Sequence, residues 1–369
     1  MVLLAVPSRN SSGNRVRVPS EADGAFPRHL SRAVRIGDVG ALGTGTIGAV
    51  KILITGSSGY LGRQAVQTAL ERGFEVIGFD RKPCGLEHDS FQERIGDITD
   101  AESARVATMG CDAVFHLAAA LAQFEPDEER MHQVNLTGTD NLLSAALDQR
   151  VSKFIFMSSV EVYGIEAPVP CGEDAPLNPV SRYGLDKVEG ESLCRGYLDK
   201  GMDITVFRPP TINGPGQNEP FLLAQIKAIS NGKATILPGG GRTRLQMVDV
   251  RDVCQAMFLA LESPESKGAV MNLGSDDVPT LREVTLALYA HAGTRPRLIS
   301  VNATLARIAV RGLSAMKLSP LEPQHLEIAL RDHLFDNRLA KKLLKWSPRK
   351  SDIESAIDAY EWVLSSGPV

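Results

Sequence analysis

The stretch Lys51-Ile52-Leu53-Ile54-Thr55-Gly56-Ser57-Ser58-Gly59-Tyr60-Leu61-Gly62 decides the fold. Its first four residues read as a short buried parallel strand. Glycines follow at 56, 59 and 62, and then an apolar-periodic run from Gln64 to Leu70. Strand, glycine turn and helix in that order form the context that a dinucleotide fingerprint requires. Glycine lets the chain turn tightly and brings backbone N–H groups close to a pyrophosphate. The positive end of the helix dipole then faces the phosphates. The contacts expected here are Gly56, Ser58, Gly59, Tyr60, Leu61 and Gly62. The spacing is G-x-x-G-x-x-G rather than the G-x-G-x-x-G of most two-domain dehydrogenases.

The next apolar run, Glu75-Val76-Ile77-Gly78-Phe79, ends at Asp80, where a carboxylate can accept from the adenosine ribose 2′-OH. A carboxylate repels a 2′-phosphate, so NAD is expected. Arg81 and Lys82 follow immediately and could offset that repulsion, which leaves NADP open.

A second stretch, Ser181-Arg182-Tyr183-Gly184-Leu185-Asp186-Lys187, supplies chemistry. On a helix from Ser181 to Lys200, Tyr183 and Lys187 share a face. A free tyrosine has a pKa of about 10 and is a poor base at neutral pH. A nearby ammonium and a positively charged nicotinamide favour the phenolate, so Lys187 is expected to lower the tyrosine pKa. Lys187 can also hold the nicotinamide ribose hydroxyls. The apolar run Phe154-Ile155-Phe156-Met157 ends in Ser158-Ser159, and ligands meet open α/β sheets at the carboxyl ends of strands. Ser159 is therefore the candidate to orient the reacting oxygen, although a serine there can equally cap a helix.

With these motifs in place, the chain resembles the extended short-chain dehydrogenase/reductase family, the epimerase/dehydratase group, from about Lys51 to the C-terminus. Gly96-Asp97-Ile98 is similar to the family's adenine-contacting segment, which implies Asp97 and Ile98 as cofactor contacts. His116-Leu117-Ala118-Ala119 is similar to the loop along the cofactor, implying Leu117, Ala118 and Ala119. Asn135-Leu136-Thr137-Gly138-Thr139 resembles the central-helix motif with its structural Asn135. Ser158-Ser159-Val160-Glu161-Val162-Tyr163-Gly164 places Ser159 at the family's catalytic Ser/Thr. Arg208-Pro209 through Gly214-Pro215-Gly216 resembles the entry to the substrate lobe, with Pro209 beside the cofactor.

Two departures bear on the reaction. Family dehydratases carry a polar residue and Glu after the catalytic residue, and here Val160 precedes Glu161. Elimination needs separate acid and base groups, and Glu161 covers at most one. Epimerases place Asn three residues beyond the arginine at 208, where this chain has Thr211, with Asn213 two further on. Arg244 matches a family arginine that grips a substrate diphosphate, a bidentate task suited to guanidinium. Its structural alternative is a pair with Asp249 or Asp252. Thr211, Asn213 and Arg244 are the candidate substrate contacts.

The resemblance implies an NAD-dependent nucleotide-sugar 4-epimerase, UDP-sugar-like in substrate. The alternative is a net alcohol dehydrogenase or ketoreductase of the hydroxysteroid-dehydrogenase-like type, favoured by Thr211 and the apolar stretch Leu298 to Leu318. Third stands a sugar-nucleotide dehydratase or decarboxylase using Glu161. A non-enzymatic dinucleotide sensor is fourth, and retention of both Tyr183 and Lys187 argues against it.

The 369 residues are 43% hydrophobic with a net charge of −4. Without a basic excess, nucleic acid is not an expected partner, and no apolar run approaches a membrane span. The scattered cysteines Cys84, Cys111, Cys171, Cys194 and Cys254 read as reduced thiols of a cytoplasmic protein, with no metal site. His116 and His132 suit core or loop roles. Residues 1–49 are Arg-, Ser- and Gly-rich without periodicity and read as a disordered leader.

Strands expected at 51–55, 74–79, 91–95, 112–117, 153–158 and 203–208 alternate with helices, predicting a doubly wound, Rossmann-type parallel sheet. The family division gives a cofactor domain of 50–209 plus 244–273, with a helix at 249–261. The smaller, discontinuous C-terminal substrate lobe takes 210–243 plus 274–369. Phe335 to Pro348 resembles the family's closing motif, with Lys345 where glycine is usual, taken as a small change. Helices 128–149 and 182–200 would pair two subunits into a homodimer.

Overall fold

The computed structural model describes residues 50–315 and 323–366. The expected leader at 1–49 and the end of the Leu298–Leu318 stretch lie outside them.

The first half is a strand–helix alternation. Strands β1 (Lys51–Thr55), β2 (Glu75–Asp80), β3 (Phe91–Ile95), β4 (Ala113–His116), β5 (Lys153–Met157) and β6 (Ile204–Arg208) alternate with helices α1 (Tyr60–Glu71), α2 (Ala101–Thr108), α3 (Glu128–His132), α4 (Gly138–Asp148) and α5 (Arg182–Asp199). A π-turn, Gln133–Thr137, joins α3 to α4 where the sequence predicts one unbroken helix. A short 3-10 turn, Val160–Tyr163, follows β5.

The second half is built from short pieces. In chain order they are β7 (Thr211–Asn213), α6 (Pro220–Ser230), β8 (Thr235–Pro238), β9 (Met247–Asp249), α7 (Val250–Glu262), β10 (Val270–Asn272), α8 (Leu281–His291), β11 (Leu298–Val301), α9 (Ala303–Ala315), α10 (Pro323–Ala329), α11 (Arg338–Leu344) and α12 (Asp352–Ser366).

Seven strands form one parallel sheet in the order β3-β2-β1-β4-β5-β6-β10. The order reverses between β1 and β4, which opens a crevice at their carboxyl ends. β10 has three residues, too few for periodicity to reveal. Strands covered on both faces read as continuous apolar runs, and β5 is wholly buried. Alternate residues serve opposite layers. Ile52 and Ile54 pack with α1 and α7, whereas Leu53 packs with the layer of α2, α4 and α5.

A separate core joins α6, α8 and α12 through Ile226, Ile229, Leu288, Tyr289 and Tyr360. Residues near the C-terminus also reach the sheet. Ala340, Leu344 and Trp346 join the Ile52 layer, and the Trp346 Nε1–H donates to the Asp252 carbonyl at 2.9 Å. The neighbouring Lys345 adopts φ 54°. Its occupation of a usual glycine position is therefore a backbone strain rather than the small change the sequence suggests, because an L side chain crowds its carbonyl there.

Candidate active site

The site is assembled at the carboxyl ends of β1, β4, β5 and β6. At the end of β1, Gly56 has φ 70°, and a Cβ there would lie 2.8 Å from the Ala118 nitrogen. A Cβ on Gly62 would lie 1.9 Å from the Gly56 carbonyl oxygen. Only hydrogen fits at either position. Gly59 begins α1 without a side-chain cap, which leaves its first turn of amides for an anion. The Ser58 amide donates to Asp80 Oδ2 at 3.1 Å, so the carboxylate at the end of β2 is held beside the turn. Tyr60 packs against Gly216, and its hydroxyl is buried without a hydrogen-bond partner. These features fit a dinucleotide: a cradle too narrow for side chains, a helix start and a carboxylate placed for a ribose.

The surrounding loops are tied down locally. Thr55 Oγ1 accepts from the Leu117 and Ala118 amides at 3.2 Å each. Asn135 braces the same loop, accepting from the Ala120 amide at 2.8 Å and donating to the Ala120 carbonyl at 3.0 Å. Asp97 pairs with Arg130 and accepts from Thr99. Partial burial pushes its pKa up, but the Thr99 bonds and the Arg130 guanidinium outweigh that and hold it below the usual value. The Ile98 carbonyl accepts from Asn141 at 2.9 Å. His116 is a core histidine between Thr55 and Thr139, kept neutral because burial and then Lys187 push its pKa down to about 3.

The candidate proton-transfer residues sit where β5 meets α5. Ser181 caps α5 by accepting from the Gly184 amide at 2.9 Å, and its hydroxyl donates to Glu161 Oε2 at 2.6 Å. Glu161 is thereby fixed at the helix start. Ser159 caps the 160–163 turn, accepting from the Glu161 amide at 3.2 Å, so its own hydroxyl proton remains to be donated. Lys187 Nζ donates to the Met157 carbonyl at 2.7 Å and lies 5.4 Å from the centre of the Tyr183 ring. Tyr183 is half-buried against the α2–α4–α5 layer.

The electrostatics differ from the sequence expectation. Burial, then Glu161 and Asp186, push the Tyr183 phenol well above its ordinary pKa. Burial pulls Lys187 down to about 8, against the upward pull of Cys194, Glu191, Asp186 and Glu161. In the protein alone, desolvation and two carboxylates set the direction of the phenol's shift, opposite to that expected from Lys187.

Sequence reasoning missed Asp186 and the partners of Arg208. Asp186 is fully buried and receives His132 Nδ1 at 2.9 Å, Arg182 Nε at 2.8 Å and Asn135 Nδ2 at 3.2 Å. Its place between Tyr183 and Lys187 is the signal that could have marked it.

The residues expected to touch substrate part company. Pro209 is buried, and its carbonyl accepts from the Val160 amide at 3.2 Å. Thr211 is exposed, whereas Asn213 is fully buried with Oδ1 unpartnered. Arg244 pairs with neither Asp249 nor Asp252. Its Nε and Nη2 donate to Asp332 Oδ2 at 2.9 and 2.7 Å. Asp249 holds Arg251 and Ser355, and Asp252 accepts from the Arg349 and Lys350 amides. Among the described residues no cluster of metal-ligating side chains occurs and no helix is long and apolar enough to cross a membrane. The five cysteines are unpaired and buried.

Residues 52–274 match the NAD dependent epimerase/dehydratase family, and the chain belongs to it, as an NAD-dependent enzyme of the extended short-chain dehydrogenase/reductase group. An uncharacterized protein, y4nG of Sinorhizobium fredii, is 31% identical over 84% of this chain and 78% of its own length. The UDP-glucose 4-epimerase of Mycolicibacterium smegmatis is 28% identical over 85% of this chain and 98% of its own. Among solved structures, a short-chain dehydrogenase/reductase superfamily protein from Agrobacterium tumefaciens with bound NAD superposes with a TM-score of 0.68. It is 26% identical over 85% of this chain and 97% of that one.

Proposed function

We propose that this enzyme epimerises a nucleotide-linked sugar, UDP-sugar-like, at C4. The convergence of Ser159, Tyr183 and Lys187 at the carboxyl end of β5, beside the glycine cradle, carries the reading. The likeness to a UDP-glucose 4-epimerase over nearly that protein's whole length supports the substrate class.

Gly56, Ser58, Gly59, Tyr60, Leu61 and Gly62 would hold the pyrophosphate, and Asp80, Arg81, Asp97, Ile98, Leu117, Ala118, Ala119, Asn135 and Pro209 would line the rest of the dinucleotide. When bound, NAD supplies a hydride acceptor and donor and a positive charge at the nicotinamide. Tyr183 exchanges a proton with the substrate hydroxyl, first as base and then as acid. Ser159, whose oxygen is occupied by the Glu161 amide, donates its hydroxyl proton to the reacting oxygen. Lys187 spends one N–H on Met157 and has two left for the nicotinamide ribose and the tyrosine. Thr211, Asn213 and Arg244 would contact the substrate. Glu161 is committed to Ser181, which leaves elimination chemistry without a free acid.

The second reading is a net alcohol dehydrogenase or ketoreductase. It is favoured by the Arg244–Asp332 pair, which occupies the guanidinium that a diphosphate would need, and by exposed Thr211 where epimerases carry asparagine. We place the enzyme in the cytoplasm as a homodimer paired through the outer faces of 128–149 and α5. Its lobes divide at 50–209 plus 244–273 and 210–243 plus 274–369.

Purification without added cofactor, denaturation and identification of the released dinucleotide separates the readings. Near-stoichiometric NAD(H), with turnover of UDP-glucose or a related UDP-, dTDP- or GDP-sugar, supports the epimerase. An empty protein that exchanges NADH with ketones or secondary alcohols overturns it in favour of the oxidoreductase.

A further inference from the structure

Beneath the proton-transfer pair lies a buried polar network that the scheme above does not use. Glu191, one turn beyond Lys187 on α5, is 8% exposed, and Arg208, at the end of β6, is 4% exposed. Arg208 Nε and Nη2 donate to Glu191 Oε1 and Oε2 at 2.8 and 2.5 Å. The Ser158 hydroxyl donates to Glu191 Oε1 at 2.5 Å. Arg208 Nη1 donates to the Tyr163 hydroxyl at 2.8 Å, which in turn donates to Asn272 Oδ1 at 2.7 Å. One cluster thus ties α5 to the ends of β5, β6 and β10 and to the 160–163 turn.

Stability alone is a poor reason for this arrangement. Taking two charges out of water costs about what their attraction returns, and apolar pairs of similar volume often do as well. Placement is a better reason. Ser158 stands between Met157, whose carbonyl accepts from Lys187, and Ser159, the candidate hydroxyl donor. Glu191 therefore grips the strand end at the one residue flanked by both.

We propose that Glu191 is a positioning residue for Lys187: held by Arg208 and Ser158, its carboxylate sets α5 in register with the end of β5, whose Met157 carbonyl Lys187 bonds. The inference rests on reading Tyr183 and Lys187 as the proton-transfer pair. The charged and titratable neighbours of Lys187 are Glu191, Asp186, Cys194 and Tyr183 on α5, Glu161 on the 160–163 turn and His116 at the end of β4. Glu161 is engaged by Ser181 and Asp186 by His132, Arg182 and Asn135. Glu191 is the carboxylate bonded to the strand that Lys187 itself touches.

The test is NADH binding to the full chain, followed by fluorescence from pH 6 to 10. In the wild type, affinity should fall through a step as Lys187 loses its proton. Glu191→Gln should move that step down by about one pH unit, because a neighbouring negative charge is lost. Glu191→Met/Arg208→Met removes the pair together, so it should fold with near wild-type thermal stability while its step stays below the wild-type position. A wild-type step in the double variant would mean the network is architectural only, and so would an unmoved step in a folded Glu191→Gln. Lys187→Met should abolish the step. A step that persists there sinks the lysine reading itself and the inference with it, an outcome distinct from failure at Glu191 alone.

Discussion

The glycine cradle and the surface around Arg244 satisfy their polar groups in opposite ways. At the cradle, Ser58 and Asp80 are 22 residues apart and meet because β1 and β2 are adjacent strands. Space there comes from missing side chains, and the uncapped start of α1 leaves backbone amides free. At Arg244, the guanidinium meets Asp332 across 88 residues, through an exposed and a half-buried side chain. The first region is coded by short-range pattern and regular geometry. The second is a long-range pairing that single substitutions can create or erase. A family can therefore keep its cofactor while changing its substrate.

Four experiments probe that contrast. The largest effect is expected at Tyr183, where Tyr183→Phe should lower turnover by about 10³-fold while leaving NADH binding intact. Near-normal turnover would overturn the proton-transfer scheme. Next, Gly62→Ala forces a methyl group to 1.9 Å from the Gly56 carbonyl oxygen. Relief requires moving backbone, so NADH affinity measured by calorimetry should fall by about 100-fold, on the scale of a severe overpacking penalty of roughly 3 kcal/mol. Ordinary affinity would show the cradle to be more pliant than its geometry indicates.

Arg244→Ala sharpens the other side. Its exposed pair with Asp332 is worth about 0–1 kcal/mol, so stability should barely change. If the guanidinium leaves Asp332 for a substrate diphosphate, the KM for UDP-glucose should rise by about tenfold, the worth of a charge-assisted bond. An unchanged KM favours the oxidoreductase reading. The smallest effect is at Lys345, held at φ 54°. Lys345→Gly should stabilise the chain by about 1 kcal/mol in denaturant unfolding, because glycine adopts that backbone freely. Destabilisation would show that the lysine side chain contributes more than its strain costs.

Much of the fold is legible in the chain. The strands expected at 51–55 and 91–95 are those observed, and the other four differ by a residue at one or both ends. Buried parallel strands announce themselves as apolar runs bounded by turns. The three-residue strands β7, β9 and β10 do not, since periodicity needs more residues than they contain. The π-turn at Gln133–Thr137 is equally silent, because its apolar pattern continues that of the flanking helices. At the candidate site, helical spacing brings Tyr183 and Lys187 onto one face, and Ser159 lies at the end of β5, where the apolar run placed it. The rise of the tyrosine pKa could not be read from the sequence, for it depends on desolvation and on Glu161, which the fold brings to the start of α5.

The sequence by itself determined the parallel sheet, the glycine cradle and the shared face of Tyr183 and Lys187. Each is fixed by backbone sterics or helical periodicity over a few residues. Only the tertiary structure decided that Arg208 clamps Glu191, that Asp332 holds Arg244, and that two carboxylates bear on the phenol. Charge pairing and desolvation depend on distances across the folded chain, and no local pattern carries those distances.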